Sequence, residues 1–144
     1  MGIRRKSREL ALQALFQGEL AGGAGLLDFT EFCAHFQANK KAIPYAKTLL
    51  DGVQEKRLEI DQLISRYTEN WRLERMSVID RNILRLAVFE LRFQGDVPTS
   101  VAINEAVEIA KRYATDDSGA FINGILDGMA GEEIIAAVNN PQKG

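Results

Sequence analysis

Cys33 and His35 are the single cysteine and the single histidine of the sequence, and they stand two residues apart. Nucleophilic catalysis usually places a serine or cysteine beside a base, most often a histidine. Residues two apart on a helix point in nearly opposite directions, so these two cannot pair within one helix. One cysteine and one histidine also fall short of the four ligands of a structural zinc site. We therefore expect Cys33 in the core and His35 exposed.

Three carboxylates could in principle support acid–base or metal chemistry. Asp116 and Asp117 are adjacent, but an Asp-Asp-Ser sequence is also typical of a helix N-terminus, which is the preferred interpretation. Glu90 falls among apolar positions of a helical wheel, and a bare buried carboxylate is costly. We expect Glu90 to be a paired, structural residue that bridges two helical groups. No phosphate loop or dinucleotide motif follows a strand pattern, so we expect neither an enzyme nor a cofactor or metal.

Basic residues are concentrated at the start of the chain. The first eight residues carry +4 and no acid, which leaves −6 for the rest of a chain whose net charge is −2. Such a cluster on an acidic protein is typical of a local polyanion contact, because each cation near a phosphate releases counterions. A solvated helix N-terminus is the alternative interpretation. The four cations are Arg4, Arg5, Lys6 and Arg8.

Phe16 lies downstream of this cluster, at the edge of the apolar face of the same predicted helix. On a helical wheel it falls beside Arg5 and Leu12. Single-stranded RNA is commonly held by cations that meet its phosphates and by a ring on which a base stacks. Phe121 lies at the edge of the apolar arc of the last predicted helix. Both rings could instead be core residues, and RNA is the ligand that the combination favours.

Length and composition limit the class of protein. A chain of 144 residues with 46% apolar and 26% charged residues is typical of one globular domain. No apolar run reaches the roughly 18 residues of a membrane span, and the charged N-terminus lacks the apolar region of a secretory signal. A lone cysteine fits a reducing cytosol. We expect a cytoplasmic protein that does not enter a membrane.

Apolar residues recur at helical spacing nearly throughout, which predicts an all-α protein. A first helix is expected over about 5–20, a second with the apolar stripe Phe29, Phe32, Cys33 and Phe36, and a long third over 44–67. Glycines at 22–25 should separate the first two helices, and the pattern is interrupted around 70–72.

Further helices are expected in the second half. Ser77 and Asp80 have the spacing of a capping box at the start of a helix that ends near Gly95. Its apolar residues should point inward, and Arg81, Arg85 and Arg92 should lie on the opposite, outer side. The next helix spans about 99–113 with Tyr113 on its apolar arc. The last begins at the cap 116–118, and the sequence does not decide whether residues after 131 are helical.

Four segments in order resemble the NusB family of bacterial transcription antitermination factors. They are 4–16 (RRKSRELALQALF), 83–91 (ILRLAVFEL), 97–107 (VPTSVAINEAV), and Asp117-Ser118 followed by 121–127 (FINGILD). The resemblance implies a single domain, 1–144, of six or seven helices in two stacked sub-bundles, about 1–70 and 71–135. It further implies binding of boxA RNA in ribosomal RNA leaders with the ribosomal protein NusE. NusA, NusG and RNA polymerase would be partners in the antitermination complex.

The resemblance also implies a set of RNA-binding residues. The arginine-rich start would be the basic patch, and Phe16 stands where the family often has tyrosine, so it keeps the stacking face but loses a hydroxyl. Three further residues match family positions near the RNA. The complete set is Arg4, Arg5, Lys6, Arg8, Phe16, Asp80, Asp117 and Phe121.

Two other functions remain open at this point. The same helical fold precedes the catalytic domain of certain rRNA cytosine methyltransferases, but that domain would need a long α/β extension beyond Gly144, so we expect no catalysis. The chain could also be a protein adaptor that docks a helical partner. The docking surface would consist of Arg81, Arg85, Phe89 and Arg92.

Overall fold

The computed structural model describes residues 2–21, 29–68 and 73–139, and these residues form seven α-helices and one 3-10 turn. The elements are α1 (Ile3–Leu20), α2 (Phe29–His35), α3 (Ile43–Glu55), α4 (Arg57–Arg66), the 3-10 turn (Leu73–Arg75), α5 (Val78–Phe93), α6 (Thr99–Tyr113) and α7 (Asp116–Asn139). Within those ranges there is no strand, and the all-α prediction is confirmed. None of the described helices is long and apolar enough to cross a membrane. The predicted breaks at 22–25 and 70–72 lie outside the described residues.

Helix α5 is the centre of the fold. It packs against α1, α3, α4, α6 and α7, and its residues 82–90 are all buried. The prediction that its arginines face outward is therefore wrong for Arg85, which is only 4% exposed. Phe89 is buried too, so two of the four residues of the predicted adaptor surface are not accessible to a partner. An amphipathic pattern cannot show that a second group of helices covers the polar side.

The polar side of α5 is covered because ionic partners meet its arginines there. Arg85 donates through Nε to Asp61 of α4 at 2.9 Å and through Nη1 to Glu19 of α1 at 2.7 Å. Arg81 donates through Nη2 to Glu19 at 2.6 Å. A guanidinium that leaves water needs such charge-assisted hydrogen bonds, and here two acids from different helices supply them.

The predicted long third helix is divided into α3 and α4. At Lys56 the backbone leaves helical geometry, with φ −101° and ψ 15°. Pro44 lies in the first turn of α3, where its missing N–H costs no hydrogen bond. Farther along α3, Gly52 packs directly on the ring of Phe89, and a Cβ at this position would overlap the ring. Glycine therefore allows α3 and α5 to approach closely.

Both caps predicted in the second half mark the start of a helix, but only one has the predicted capping residue. The backbone N–H of Asp80 donates to the hydroxyl of Ser77 at 3.0 Å, as the capping box predicted. For α7 the cap is Thr115, whose hydroxyl accepts from the N–H of Ser118 at 3.0 Å. Asp116 and Asp117 lie in the first turn instead, where the helix dipole favours acids. Helix α7 continues past residue 131, to Asn139.

Candidate nucleic-acid interface

Helix α1 separates the cations of the basic start into a buried one and three nearer the surface. Arg4 and Lys6 are exposed, Arg5 is half-buried, and Arg8 is 4% exposed. Arg8 reaches the core because it lies one turn beyond Arg4, on the side of α1 that packs on α5. The predicted patch therefore does not present four equivalent cations to a ligand.

Arg8 is held in the core by Glu90 of α5. Its Nε donates to Glu90 at 2.8 Å and its Nη2 at 2.9 Å, while the hydroxyl of Tyr45 on α3 donates to the same carboxylate. Burial and the hydrogen bond to Glu90 raise the pKa of Tyr45 to about 12. The prediction that Glu90 is paired is confirmed, and this carboxylate joins α5 to α1 and α3.

The two outer arginines are also held by acids. Arg4 donates through Nη2 to Asp96 at 2.8 Å, and its guanidinium lies 4.3 Å from the centre of the Tyr45 ring. Arg5 forms a close ion pair with Glu105 of α6. Lys6 has no ion-pair partner among the described residues. A phosphate that approached α1 would meet Lys6 directly and would compete with carboxylates for both arginines.

Helix α6 lines the same side of α1. Glu9 of α1 accepts a hydrogen bond from the hydroxyl of Tyr113 at 2.6 Å, and Arg112 lies 3.3 Å from the same carboxylate. A hollow of about 230 Å³ lies between the two helices. It is lined by Arg5, Glu9, Glu108, Ile109, Lys111 and Arg112. Three basic and two acidic side chains therefore line it, and we refer to it as the basic hollow because its lining carries a net positive charge.

Phe16 lines a second, apolar groove, about 16 Å along α1 from Arg5 at the rise of an α-helix. The groove has a volume of about 340 Å³. Its lining residues are Leu12, Gln13, Phe16, Gln17, Phe32, Phe36, Ile79 and Tyr113. Phe16 is half-buried, which confirms the partial exposure that its position on the helical wheel predicted.

Helical periodicity missed two residues of this groove. Phe36 and Tyr113 were both expected on apolar faces, yet they are 46% and 36% exposed. Phe36 follows the last residue of α2, and Tyr113 is the last residue of α6. The position of each ring at a helix end was the available signal, because a helix end projects beyond the neighbours that cover its middle.

Asp80, Asp117 and Phe121 lie where α5 and α7 begin. Asp80 follows Ile79 of the groove, and its Oδ2 accepts a hydrogen bond from the hydroxyl of Ser118 at 3.2 Å. The other oxygen, Oδ1, is buried and has no hydrogen-bond partner among the described residues. Asp117 is exposed, and Phe121 is half-buried against the core. The structure thus brings Asp80 and the start of α7 to the end of the groove.

The acids of this region do not form a metal site. Within the described ranges no group of three or more histidine, cysteine or acidic residues could hold a metal ion. Cys33 is buried and His35 is exposed, and both predictions are confirmed. What the arrangement offers chemically is cations, flat aromatic surface and amide side chains.

Curated relatives cover nearly the whole chain. The transcription antitermination protein NusB of Desulfosudis oleivorans is 51% identical over 130 residues, which is 88% of this chain and 84% of that protein. The protein of the same name from Myxococcus xanthus is 49% identical and covers 98% of this chain and 100% of its own length. Both are named for transcription antitermination and not for a catalysed reaction.

Solved structures and a family model agree with these relatives. NusB of Thermotoga maritima matches with a TM-score of 0.78 and 46% identity, covering 90% of this chain and 91% of that one. A structure of the antitermination factors NusB and NusE in complex with dsRNA matches with a TM-score of 0.76 and 31% identity, covering 88% and 95%. The model of the NusB family matches residues 5–131. The chain belongs to the NusB family of transcription antitermination proteins.

Proposed function

We propose that this protein is an RNA-binding antitermination factor that binds the boxA element of ribosomal RNA leaders together with NusE. In this role it acts in the cytoplasm with NusA, NusG and RNA polymerase, and it supports processive transcription of ribosomal RNA. The observation that carries the proposal is the surface along α1. It begins with the cations Arg4, Arg5 and Lys6 and reaches the half-buried ring of Phe16 about 16 Å away.

A relative supports both the ligand and the partner. The solved complex that matches this chain at 31% identity holds NusB and NusE together with dsRNA, which supports RNA as the class of ligand and NusE as the partner. Cations spaced along a helix suit the phosphates of a nucleic acid, and an aromatic ring at the end suits a base that has left its stack. Proteins that recognise an RNA sequence mostly contact such unstacked bases, so boxA would bind as a single strand.

We assign the predicted RNA-binding residues four roles. Arg4, Arg5 and Lys6 meet phosphates, and Phe16 stacks on a base. Arg8 does not contact the RNA in this assignment. It positions the basic patch, because its buried pair with Glu90 fixes α1 against α5. The fourth group follows the groove to the start of α7, where polar atoms and an aromatic ring would contact the continuing strand. This group is Asp80, Asp117 and Phe121.

A salt titration of RNA binding tests the electrostatic part of the proposal. Three phosphate contacts on single-stranded RNA predict a log–log slope of roughly −2, since each contributes about −0.7. Lys6→Gln should make the slope shallower by about 0.7. The matched control is Lys47→Gln, which removes an exposed lysine of α3 and should leave the slope unchanged. A slope near zero for the unsubstituted protein would contradict a phosphate contact.

A second experiment tests the partner. If NusE and this protein bind boxA RNA together, NusE and the RNA should each strengthen the binding of the other by the same factor, typically about 5- to 150-fold. The affinity for boxA RNA is measured at fixed salt with and without NusE, and the affinity for NusE with and without RNA. Equal affinities in both comparisons would argue against the antitermination role and would leave RNA binding alone intact.

A further inference from the structure

The groove beside Phe16 gathers exposed aromatic surface. Six large apolar side chains of the described residues are notably exposed, and Phe36 and Tyr113 are the two aromatic ones. Both line this groove with the half-buried Phe16. Ordinary surfaces expose single apolar residues at scattered places, whereas an apolar hollow built from several rings is typical of a binding site.

Two amide side chains border the apolar lining. Gln13 and Gln17 stand one turn apart on α1, and both are exposed. Neither amide has a hydrogen-bond partner among the described residues. A glutamine amide offers two donors and an acceptor, which can match the edge of a heterocyclic ring. The groove therefore combines a surface for a flat apolar group with free polar atoms that can recognise its edge.

The basic hollow between α1 and α6 adjoins this groove. Glu9 links the two, because its carboxylate holds both Tyr113 of the groove and Arg112 of the hollow. Lys111 also lines the hollow, and its pair with Glu108 is long, at 4.0 Å, and exposed. A ligand that carries a flat ring and a nearby negative charge would match both places. An apolar peptide would use the groove alone.

We propose that the groove is a nucleobase subsite, which rests on the RNA-binding function proposed above. One unstacked base of the RNA enters between Phe16 and Phe36, and the amides of Gln13 and Gln17 hydrogen-bond to its edge. The adjoining phosphate lies toward Lys111 in the basic hollow. Gln13 and Gln17 are then specificity-determining residues, because they distinguish one base from another, while the rings accept any base.

The test uses the full chain and a set of boxA RNA oligonucleotides, each lacking one base at an abasic nucleotide. For the unsubstituted protein, one position should stand out with a loss of affinity of roughly 5- to 150-fold. In the Phe36→Ala protein the same abasic position should reduce affinity clearly less, because one of the two rings that hold the base is already gone. Leu58→Ala removes another exposed apolar side chain, on α4, and should keep the full abasic effect.

A second variant tests whether the glutamine amides recognise the edge of the base. The Gln13→Ala/Gln17→Ala protein should bind boxA RNA but discriminate less among the four bases at the identified position. Both substitutions are exposed on a long helix, so folding should stay intact, and urea unfolding checks this. The subsite is refuted if the Phe36→Ala protein loses as much affinity at the identified abasic position as the unsubstituted protein does. It is also refuted if every abasic position lowers the affinity of the unsubstituted protein equally. The outcome that the unsubstituted protein binds no RNA would overturn the proposed function as well, so the two failures are distinguishable.

Discussion

Arg8 and Glu90 form a two-point ion pair inside the protein, with Nε 2.8 Å from Oε1 and Nη2 2.9 Å from Oε2. Their side chains are 5% and 2% exposed. Removing one partner of a buried pair typically costs roughly 3–5 kcal/mol, and here Arg8 would keep only its longer pair with Glu105, at 3.3 Å. We expect Glu90→Gln to lower the free energy of unfolding by an amount of about this size, measured by urea denaturation.

The control for this prediction is an exposed ion pair. Lys47 and Asp51 are both more than half exposed, so Asp51→Asn should cost less than about 1 kcal/mol. The double variant Arg8→Met/Glu90→Leu should recover much of the loss, because it removes both charges together. A loss for Glu90→Gln no greater than that for Asp51→Asn would contradict the importance of the buried pair.

The carboxylates near the basic start should weaken RNA binding. Glu105 pairs with Arg5, and Asp96 pairs with Arg4, so a phosphate has to compete with each. We expect Asp96→Asn to tighten boxA RNA binding by up to about 5-fold at low salt, the size of an exposed ion pair, and Glu105→Gln to tighten it as well.

Asp51→Asn makes the same change of charge on α3 and serves as the control in this measurement. It should raise affinity less than either of the other substitutions if the pairing, and not net charge, is the cause. Equal gains from all three variants would show that only the overall charge matters.

Loss of the Phe16 ring should affect RNA binding more than folding. The ring is half-buried, so Phe16→Ala should cost less than about 3 kcal/mol of stability, while RNA binding weakens by about 1–3 kcal/mol. Phe32 lines the same groove but is 2% exposed, and Phe32→Ala should cost about 3–5 kcal/mol of stability. Both proteins are unfolded in urea and titrated with RNA. A large stability loss for Phe16→Ala with unchanged RNA affinity would make Phe16 a core residue only.

The ionisation of Glu19 should make the folding stability of the protein depend on pH. Burial alone would raise the pKa of Glu19, but the hydrogen bonds from Arg81 and Arg85 outweigh it and hold the pKa below the usual 4.5. A carboxylate with a lowered pKa in the folded state stabilises the protein above pH 4.5, and this contribution is lost as the pH falls through the lowered value.

The measurement is urea unfolding at a series of pH values from neutral downward. The difference in stability between the unsubstituted protein and Glu19→Gln should be largest near neutral pH and should shrink in acid. Glu31 is exposed on α2, and Glu31→Gln should follow the unsubstituted protein throughout. A difference that stays constant across the series would show that the charge of Glu19 is not what stabilises the fold.

The contact between Gly52 and Phe89 should make Gly52 intolerant of any side chain. A methyl group there would overlap the ring, so Gly52→Ala should destabilise the protein by roughly 1–3 kcal/mol through overpacking. Gly124 lies on α7 with open space beside it, and Gly124→Ala should instead stabilise by about 0.5–1 kcal/mol through helix propensity. Opposite signs in thermal or urea unfolding would confirm the prediction, and equal signs would contradict it.

Patterns within one element were predictable from the sequence. Helical periodicity predicted the all-α fold, and the Ser77 cap depends on residues three apart, so both needed only local information. Glu90 was also predictable as a paired residue, because an acid among apolar neighbours has few stable alternatives. The division into two sub-bundles, about 1–70 and 71–135, stays a prediction.

Features that depend on contact between elements were not predictable. Arg85 looked exposed because only its own helix was visible in the pattern, whereas Asp61 and Glu19 come from α4 and α1. The burial of Arg8 has the same cause. Phe36 and Tyr113 form one groove only because α2 and α6 end beside α1, a relation that no local spacing encodes. The sequence therefore predicted the cations and Phe16, but it did not predict that Phe36 and Tyr113 line a groove beside the Phe16 ring.

Helix α5 carries three buried polar residues, and each is anchored to a different place. Asn82 donates to the carbonyl of Val78 at 2.8 Å and accepts from Arg85, Arg85 reaches Asp61 and Glu19, and Glu90 reaches α1 and α3. A slide of α5 by one turn would separate Arg85 and Glu90 from their partners on other helices at once, whereas apolar side chains alone would tolerate neighbouring registers. We therefore expect these polar contacts to fix the register of α5 against its neighbours. The cations of α1 and Ile79 of the groove would then keep a constant position relative to each other.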